Sequence, residues 1–189
     1  MGAGNFYNMQ NLNNHTVDAN TAAMATAKIW QLLQEVCDPE IPVLSIIDLG
    51  IVRDVRIATP AENGSEKLEI VITPTYSGCP AMDAISMDIR LKLLEHGYKN
   101  FTIAQVLSPA WTTDWMTEAG RQKLQAYGIA PPRLNKPAAD KLFAVPENIQ
   151  CPLCKSYDTS LVSYFGSTAC KALYKCLQCK EPFDHFKCH

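Results

Sequence analysis

Apolar residues recur at helical spacing early in the chain and then alternate with polar ones, which predicts helices and strands in turn. The apolar positions Ala22, Ala25, Ile29, Leu32, Leu33 and Val36 fall on one face of a helix. Prolines at 39 and 42 end this helix. Residues 51–57 predict a strand, and the alternation at 68, 70 and 72 predicts a second one. The turn pair Asn63-Gly64 lies between them, so the two strands should pair as a hairpin.

Residues 73–128 extend the pattern to a complete α+β unit. After the loop 73–80, the apolar residues Ile85, Ile89 and Leu93 predict a helix that ends at Gly97. Residues 101–107 predict a third strand, and a further helix is expected to start at Thr113 as its N-cap. The order helix, strand, strand, helix, strand, helix predicts an α+β fold in which helices cover a small mixed sheet.

Composition shifts divide the chain into four parts. Residues 1–20 are polar and rich in asparagine, and we predict that they are disordered. Residues 21–128 form the α+β domain, and the proline-containing stretch 129–149 is expected to be a linker. Residues 150–189 are too few to fold on hydrophobic burial alone, so a metal-stabilised, zinc-ribbon-like module is expected there.

Two matched Cys-x-x-Cys pairs in this last part indicate a metal site. Their members are Cys151, Cys154, Cys176 and Cys179. Soft thiolates at this spacing suit tetrahedral zinc, with an iron–sulfur centre as the main rival. Four protein ligands leave no open position for a substrate, which favours a structural ion.

Three further residues of this module are candidate extra ligands, namely Cys170, His185 and Cys188. They could join the first site or form a second, more exchangeable one. The simpler alternative is that Cys170 packs as a small apolar residue.

A further cysteine, Cys79, has a distinctive local setting in the α+β domain. It precedes Pro80, and proline is favoured at the first helical position, so Cys79 is expected at or near the helix N-cap. Backbone N–H groups and the helix dipole there favour thiolate over thiol. Such a thiolate could bind a soft metal, accept a cluster fragment or attack an electrophile; the alternative is a cap residue without reactivity.

Two carboxylates flank Pro39 in a rigid turn, and they are candidates to act with Cys79. Asp38 and Glu40 could bind a metal together with this cysteine if the fold brings the two loops together. The simpler interpretation is that Asp-Pro-Glu is ordinary turn composition.

Composition excludes several classes of function. The charge is nearly balanced, with 17 Lys+Arg against 19 Asp+Glu, which argues against nucleic acid as a partner. The N-terminal residues lack the features of a signal peptide, and no apolar run is long enough to span a membrane. Eight cysteines without a secretory leader indicate metal-bound thiolates in a reducing cytoplasm. The motifs of common nucleophilic and zinc-dependent hydrolases are missing from the sequence, so a non-catalytic component is favoured over an independent enzyme.

Several of these segments together resemble known families. The segments DPEIPVLSIIDLG (38–50) and TPTYSGCP (73–80) resemble the iron–sulfur cluster assembly domain of SufT-like proteins, over about residues 24–108. The segments SPAWTTDWMTEAG (108–120) and FGSTACKALYKC (165–176) resemble the PaaD (PaaJ) family of the bacterial phenylacetyl-CoA epoxidase system.

The resemblance implies an accessory subunit of the ring-oxygenating complex in aerobic phenylacetate catabolism. Such a subunit would assist maturation or repair of the di-iron or iron–sulfur centres, and its partners would be the di-iron oxygenase subunit or the reductase. The family's motif cysteine falls on Cys79 and its acidic turn on Asp38 and Glu40. Iron or an iron–sulfur cluster would then be held transiently. An electron-transfer subunit, or a purely structural one, is the alternative, and a homodimer paired through sheet edges is also open.

Overall fold

The computed structural model describes residues 19–58, 67–132 and 149–187 of the chain. Its helices and strands follow the predicted order, with a three-stranded unit added at the C-terminal end. The elements are α1 (Ala19–Leu33), β1 (Val52–Ala58), β2 (Lys67–Ile72), α2 (Ala81–Glu95), β3 (Phe101–Gln105), α3 (Glu118–Tyr127), β4 (Thr159–Ser163), β5 (Lys171–Cys176) and β6 (Pro182–Phe186). No helix in the described ranges has the length and apolar character needed to cross a bilayer.

The first sheet is mixed, as predicted. Strand β1 pairs antiparallel with β2, and β2 pairs parallel with β3, in the order β1-β2-β3. Helix α1 packs against β1 and α2, and the predicted core positions Ile85, Ile89 and Leu93 of α2 are fully buried. The α+β class, with its small mixed sheet and helices, is therefore confirmed.

The loop between α1 and β1 is fastened by the buried carboxylate of Asp48. Its Oδ2 accepts a hydrogen bond from Ser45 N at 3.0 Å and contacts Lys123 Nζ at 2.6 Å. Its backbone carbonyl accepts from Thr117 N at 2.9 Å. Although burial opposes ionisation, the contacts with Lys123 and Ser45 hold the pKa of Asp48 below its ordinary value. One carboxylate thus ties the loop to the start of α3.

Helix α3 begins later than the sequence predicted. Thr113 starts a single 3-10 turn, whereas the α-helix is capped by Thr117, whose hydroxyl accepts a hydrogen bond from Gly120 N at 2.9 Å. The tertiary contact with Asp48 selects the second threonine. A Cβ on Gly120 would lie 2.8 Å from Asp48 O, so only glycine allows this close approach.

The C-terminal module is a three-stranded antiparallel sheet in the order β4-β5-β6. The linker prediction implied a flexible connection that starts at residue 129, whereas the first residues of this stretch are packed against the module. Ile129 and Ala130 are buried, and Ala130 N donates to Asp184 O at 2.8 Å while Phe186 N donates to Ala130 O at 2.9 Å. Residues 133–148 of the predicted linker and the predicted disordered residues 1–18 lie outside the described residues.

The ribbon and the α+β domain share part of one hydrophobic core. The ring of Phe186 meets Trp111 edge-on with centroids 6.1 Å apart, and both side chains are buried. The buried Cys170 belongs to the same apolar cluster as the helices of the first domain. The two domains therefore face each other across a packed boundary, close to the Asp38 turn and the start of α2.

Candidate metal centres

The four cysteines of the ribbon converge on one point. Their sulfur atoms all lie within 4.8 Å of one another, with 3.8 Å between Cys151 and Cys179 and 3.5 Å between Cys154 and Cys176. A tetrahedral zinc with Zn–S bonds of about 2.3 Å requires S···S separations of about 3.8 Å. A cluster with two or four irons divides its thiolates among different iron atoms and spreads them further apart. The geometry therefore fits a single soft ion, which the four thiolates would hold with no open position.

Two similar turns present these sulfur atoms. In each, the residue after the second cysteine has a left-handed backbone, with φ 66° at Lys155 and 68° at Lys180. Lys155 N donates to Cys151 O at 3.0 Å in the first turn, and Cys179 N donates to Cys176 Sγ at 3.4 Å in the second. Such N–H donors lower the pKa of the Cys176 thiol to about 7. The second turn thus favours the thiolate form at Cys176, whereas at Cys179 the Glu181 N–H is outweighed by desolvation and the neighbouring sulfurs, which raise the pKa of Cys179 to about 12.

The predicted extra ligands do not join this group among the described residues. His185 places Nδ1 3.1 Å from Ala130 O and its ring edge-on to Tyr174. Cys170 lies at the domain boundary, where its sulfur is 3.6 Å from Glu40 Oε2. Cys188 lies outside the described residues. Of the alternatives left open by the sequence, the contacts of Cys170 and His185 favour roles outside the four-cysteine group.

Cys79 lies immediately before the N-cap of α2, which is Pro80. At Cys79 the surroundings oppose the thiolate that the helix terminus was predicted to favour. Partial burial, together with the nearby carboxylates of Glu40 and Asp38, raises the pKa of the Cys79 thiol, although the Ala81 N–H and the Tyr76 hydroxyl act in the opposite direction. The helix terminus supplies a donor as predicted, but desolvation and like charges outweigh it. At neutral pH the Cys79 thiol therefore keeps its proton unless a metal ion displaces it.

The acidic turn lies within electrostatic range of Cys79. Asp38 Oδ1 accepts hydrogen bonds from Glu40 N at 2.9 Å and Ile41 N at 2.7 Å, so this carboxylate also shapes the turn. Burial raises the pKa of Asp38 above its ordinary value. Both carboxylates act electrostatically on the Cys79 thiol, which places all three groups in one neighbourhood.

Sequence reasoning missed a phenol in this neighbourhood. Burial raises the pKa of Tyr76 to about 12, and the neighbouring Cys79, Glu40 and Cys170 act in the same direction. Tyr76 also hydrogen-bonds the Cys79 sulfur. Its place three residues before Cys79 in the 73–80 loop was visible, but nothing in the sequence showed that its hydroxyl would turn back onto the sulfur.

Comparison with known families matches both halves of the chain. The family model described as "Iron-sulfur cluster assembly protein" matches residues 26–96, and the one described as "PaaD zinc beta ribbon domain" matches residues 135–187. A relative from Escherichia coli (strain K12), named as one subunit of a "Putative 1,2-phenylacetyl-CoA epoxidase", is 46% identical over 170 residues. That alignment covers 90% of this chain and 97% of the relative, across both domains. The chain belongs to the PaaD family. The predicted resemblance is thereby confirmed.

Further relatives match a little more than half of this PaaD-family protein. A "Fe-S protein maturation auxiliary factor" of Porphyromonas gingivalis (strain ATCC BAA-308 / W83) is 33% identical over 97 residues, covering 51% of this chain and 87% of the relative. Among solved structures, a domain of unknown function, DUF59, from Bacillus anthracis has a TM-score of 0.49 and 26% identity, covering 57% of this chain and 97% of that one.

Proposed function

We propose that this protein is an accessory subunit of a phenylacetyl-CoA epoxidase that assists maturation or repair of the complex's metal centres. The relative that spans both domains is named as a subunit of that epoxidase, and a relative of the first domain is named as a maturation factor for Fe-S proteins. The cargo is iron or an iron–sulfur fragment, and the partner is the di-iron oxygenase subunit or its reductase.

One observation supports the proposal, namely that the carboxylates of Asp38 and Glu40 act electrostatically on the Cys79 thiol just before the start of α2. Thiolate and carboxylate groups together form a mixed donor set for iron. Asp38 Oδ1 accepts hydrogen bonds from backbone N–H groups within the turn. The half-buried Cys79 lies close to the surface, in the loop before the helix. Because Cys79 is only partly buried, a partner protein could reach the cargo at this site.

The protonated thiol suits transient binding. Because the thiolate is the ligand, an arriving metal displaces the Cys79 proton, and release allows the proton to return. Raising the thiol pKa by burial and by carboxylates makes metal binding weaker at neutral pH than it would be for a preformed thiolate. A carrier needs such moderate affinity, since it must lose its cargo to the recipient.

The ribbon ion has a separate, structural role in this proposal. We infer zinc at the four thiolates, because a closed tetrahedral set of sulfurs suits zinc and leaves no position for exchange. Purified protein would then be colourless and contain one zinc per chain. Visible absorption that bleaches on reduction, together with iron in place of zinc, would instead support the electron-transfer alternative.

The function is tested by the metal content of the partner enzyme. The epoxidase subunits are produced with the wild-type chain, without it, with Cys79→Ser, or with Cys37→Ser as a matched change at an exposed cysteine of the same domain. We expect iron or cluster content and turnover to fall without the chain and with Cys79→Ser, but not with Cys37→Ser. Full metal and full turnover with Cys79→Ser would refute the proposal and favour a purely structural subunit.

A further inference from the structure

The cysteine of the ribbon that lies outside the four-cysteine group is built into the boundary between the domains. Cys170 is only 5% exposed, and its sulfur is 3.0 Å from Thr168 Oγ1 and 3.6 Å from Glu40 Oε2. Glu40 belongs to the acidic turn of the other domain. The sulfur therefore faces the candidate iron site and not the ribbon ion.

A second thiol thus adjoins the group formed by Cys79, Asp38 and Glu40. The Tyr76 hydroxyl hydrogen-bonds Cys79 and interacts electrostatically with Cys170 as well as Glu40, so one phenol lies close to both sulfurs. Neither domain alone holds both thiols. Cys170 belongs to the hydrophobic cluster that contains Phe186 and Trp111 at the packed boundary, and Cys79 packs against the same cluster.

Positive charge also surrounds Cys170. Lys171 acts electrostatically on both Cys170 and Asp38. The ammonium of Lys187, a side chain only 8% exposed, has no hydrogen-bond partner among the described residues and lies 3.6 Å from the ring centroid of Tyr164. It too interacts electrostatically with Cys170. A buried ammonium without a hydrogen-bonding partner is costly unless an anionic group offsets it.

An occupied site would supply that anionic group. Two thiolates and two carboxylates around a divalent cation leave an excess of negative charge, which Lys187 would offset together with Lys171, whose Nζ also lies 3.9 Å from Asp184 Oδ2. Among the described residues, the ribbon cysteines form the one group of three or more ligand atoms that lie within 4.8 Å of one another, whereas Cys170 Sγ and Glu40 Oε2, 3.6 Å apart, are a pair. Binding therefore requires side-chain rotation around the ion, as is suitable for a site that loads and unloads.

We propose that Cys170 is a second thiolate ligand of the cargo site, so that the two domains together form a mixed thiolate and carboxylate site for a soft divalent cation such as Fe²⁺. This inference rests on the proposed function and adds to it a role for the ribbon. The ribbon does not only hold a structural ion; it delivers a ligand across the boundary. The ligand set is Cys79, Cys170, Asp38 and Glu40.

The ligand count can be measured directly with cobalt as the probe. The full chain, with zinc in the ribbon, is titrated anaerobically with Co²⁺, and the near-ultraviolet sulfur-to-cobalt absorption reports the number of bound thiolates. Cys170→Ala and Cys79→Ser should each remove about half of this absorption and weaken the apparent Kd by about tenfold or more. Cys37→Ser should match the wild type. Zinc content and circular dichroism check that each variant is folded.

The outcomes separate the two proposals. If Cys170→Ala keeps the full absorption while Cys79→Ser loses it, the ribbon cysteine is not a ligand, and the proposed function stands without it. If neither the wild type nor any variant binds cobalt outside the ribbon, both proposals fail. Should Cys170→Ala not fold, cadmium-113 NMR of the wild-type chain decides, because the chemical shift of the added ion differs between one and two thiolate ligands; a one-thiolate shift overturns the inference.

Discussion

The indole ring of Trp111 in the α+β domain meets the ring of Phe186 in the ribbon edge-on, with 6.1 Å between centroids. The Nε1 of Trp111 donates a hydrogen bond to Leu49 O at 2.9 Å, which fixes the indole ring. Because Phe186 belongs to the last strand and is 1% exposed, the two domains share this contact as part of one core. The position of Cys170 opposite Glu40 depends on that packing.

Truncating the ring should loosen the boundary. Phe186→Ala removes a fully buried aromatic side chain and should lower the free energy of unfolding by about 3–5 kcal/mol. Phe165→Ala is the matched control, since Phe165 is 60% exposed on the same ribbon and should have a small effect. Denaturant unfolding of the zinc-loaded protein measures both. Equal stability of the two variants would show that the aromatic contact does not hold the domains together.

The carboxylate of Asp48 should make stability depend on acid. Its folded pKa lies below the ordinary value, so the folded state binds fewer protons than the unfolded one, and the stabilisation is present at neutral pH. It is lost as the pH falls below about 4 and through the folded pKa. Asp48→Asn should therefore destabilise the protein at neutral pH, with a gap to the wild type that narrows in acid.

The comparison is made by denaturant unfolding between neutral pH and the acid limit of folding. Asp54→Asn serves as its control, because Asp54 pairs with Arg56 at the surface, where such pairs contribute little. A gap between the wild type and Asp48→Asn that stayed constant with pH would exclude the ionised form of Asp48 as the source of the stabilisation.

The raised pKa of Cys79 should be visible in its reactivity. At neutral pH the thiol is protonated, so iodoacetamide should modify Cys79 slowly and faster as the pH rises. Glu40→Gln removes one of the nearby negative charges, which should lower the thiol pKa and speed the reaction at neutral pH. Glu69→Gln, on strand β2, is the control and should leave the rate unchanged.

Mass spectrometry of the modified peptide follows each rate separately, with zinc bound in the ribbon. Rapid modification of Cys79 at neutral pH, independent of Glu40, would mean that the helix terminus governs the thiol after all. The electrostatic account of the site would then need to be abandoned.

The sequence predicted the parts of this protein that depend on local pattern. The spacing of Ile85, Ile89 and Leu93 identified α2, and the two Cys-x-x-Cys pairs identified the ribbon site, because periodicity and turn geometry act over a few residues. The choice between Thr113 and Thr117 as the cap of α3 could not be made in this way. Each threonine precedes an acidic residue, and the contact with Asp48 decides between them.

The chemistry of the candidate site was less predictable because it depends on residues that lie far apart in the sequence. The helix start beside Cys79 is a local signal that favours the thiolate, whereas the opposing effects come from burial and from Asp38 and Glu40, some forty residues away in sequence. Cys170 is more distant still, and the sequence left open whether it binds the ribbon ion, helps to form a second site or packs as a small apolar residue. Only the packing of the two domains shows that its sulfur faces Glu40.

Transfer of iron from this protein to its partner tests the central claim most directly. The chain, with zinc in the ribbon, is loaded anaerobically with isotopically labelled Fe²⁺, freed of excess metal and mixed with metal-free di-iron oxygenase subunit; in a parallel arm, a chain loaded with a labelled iron–sulfur fragment is mixed with the cluster-free reductase. The account predicts that label appears in at least one recipient and restores turnover, and that Cys79→Ser abolishes both while Cys37→Ser does not. Transfer by Cys79→Ser at the wild-type rate, or no transfer to either recipient by a wild-type chain that holds the label, would contradict it.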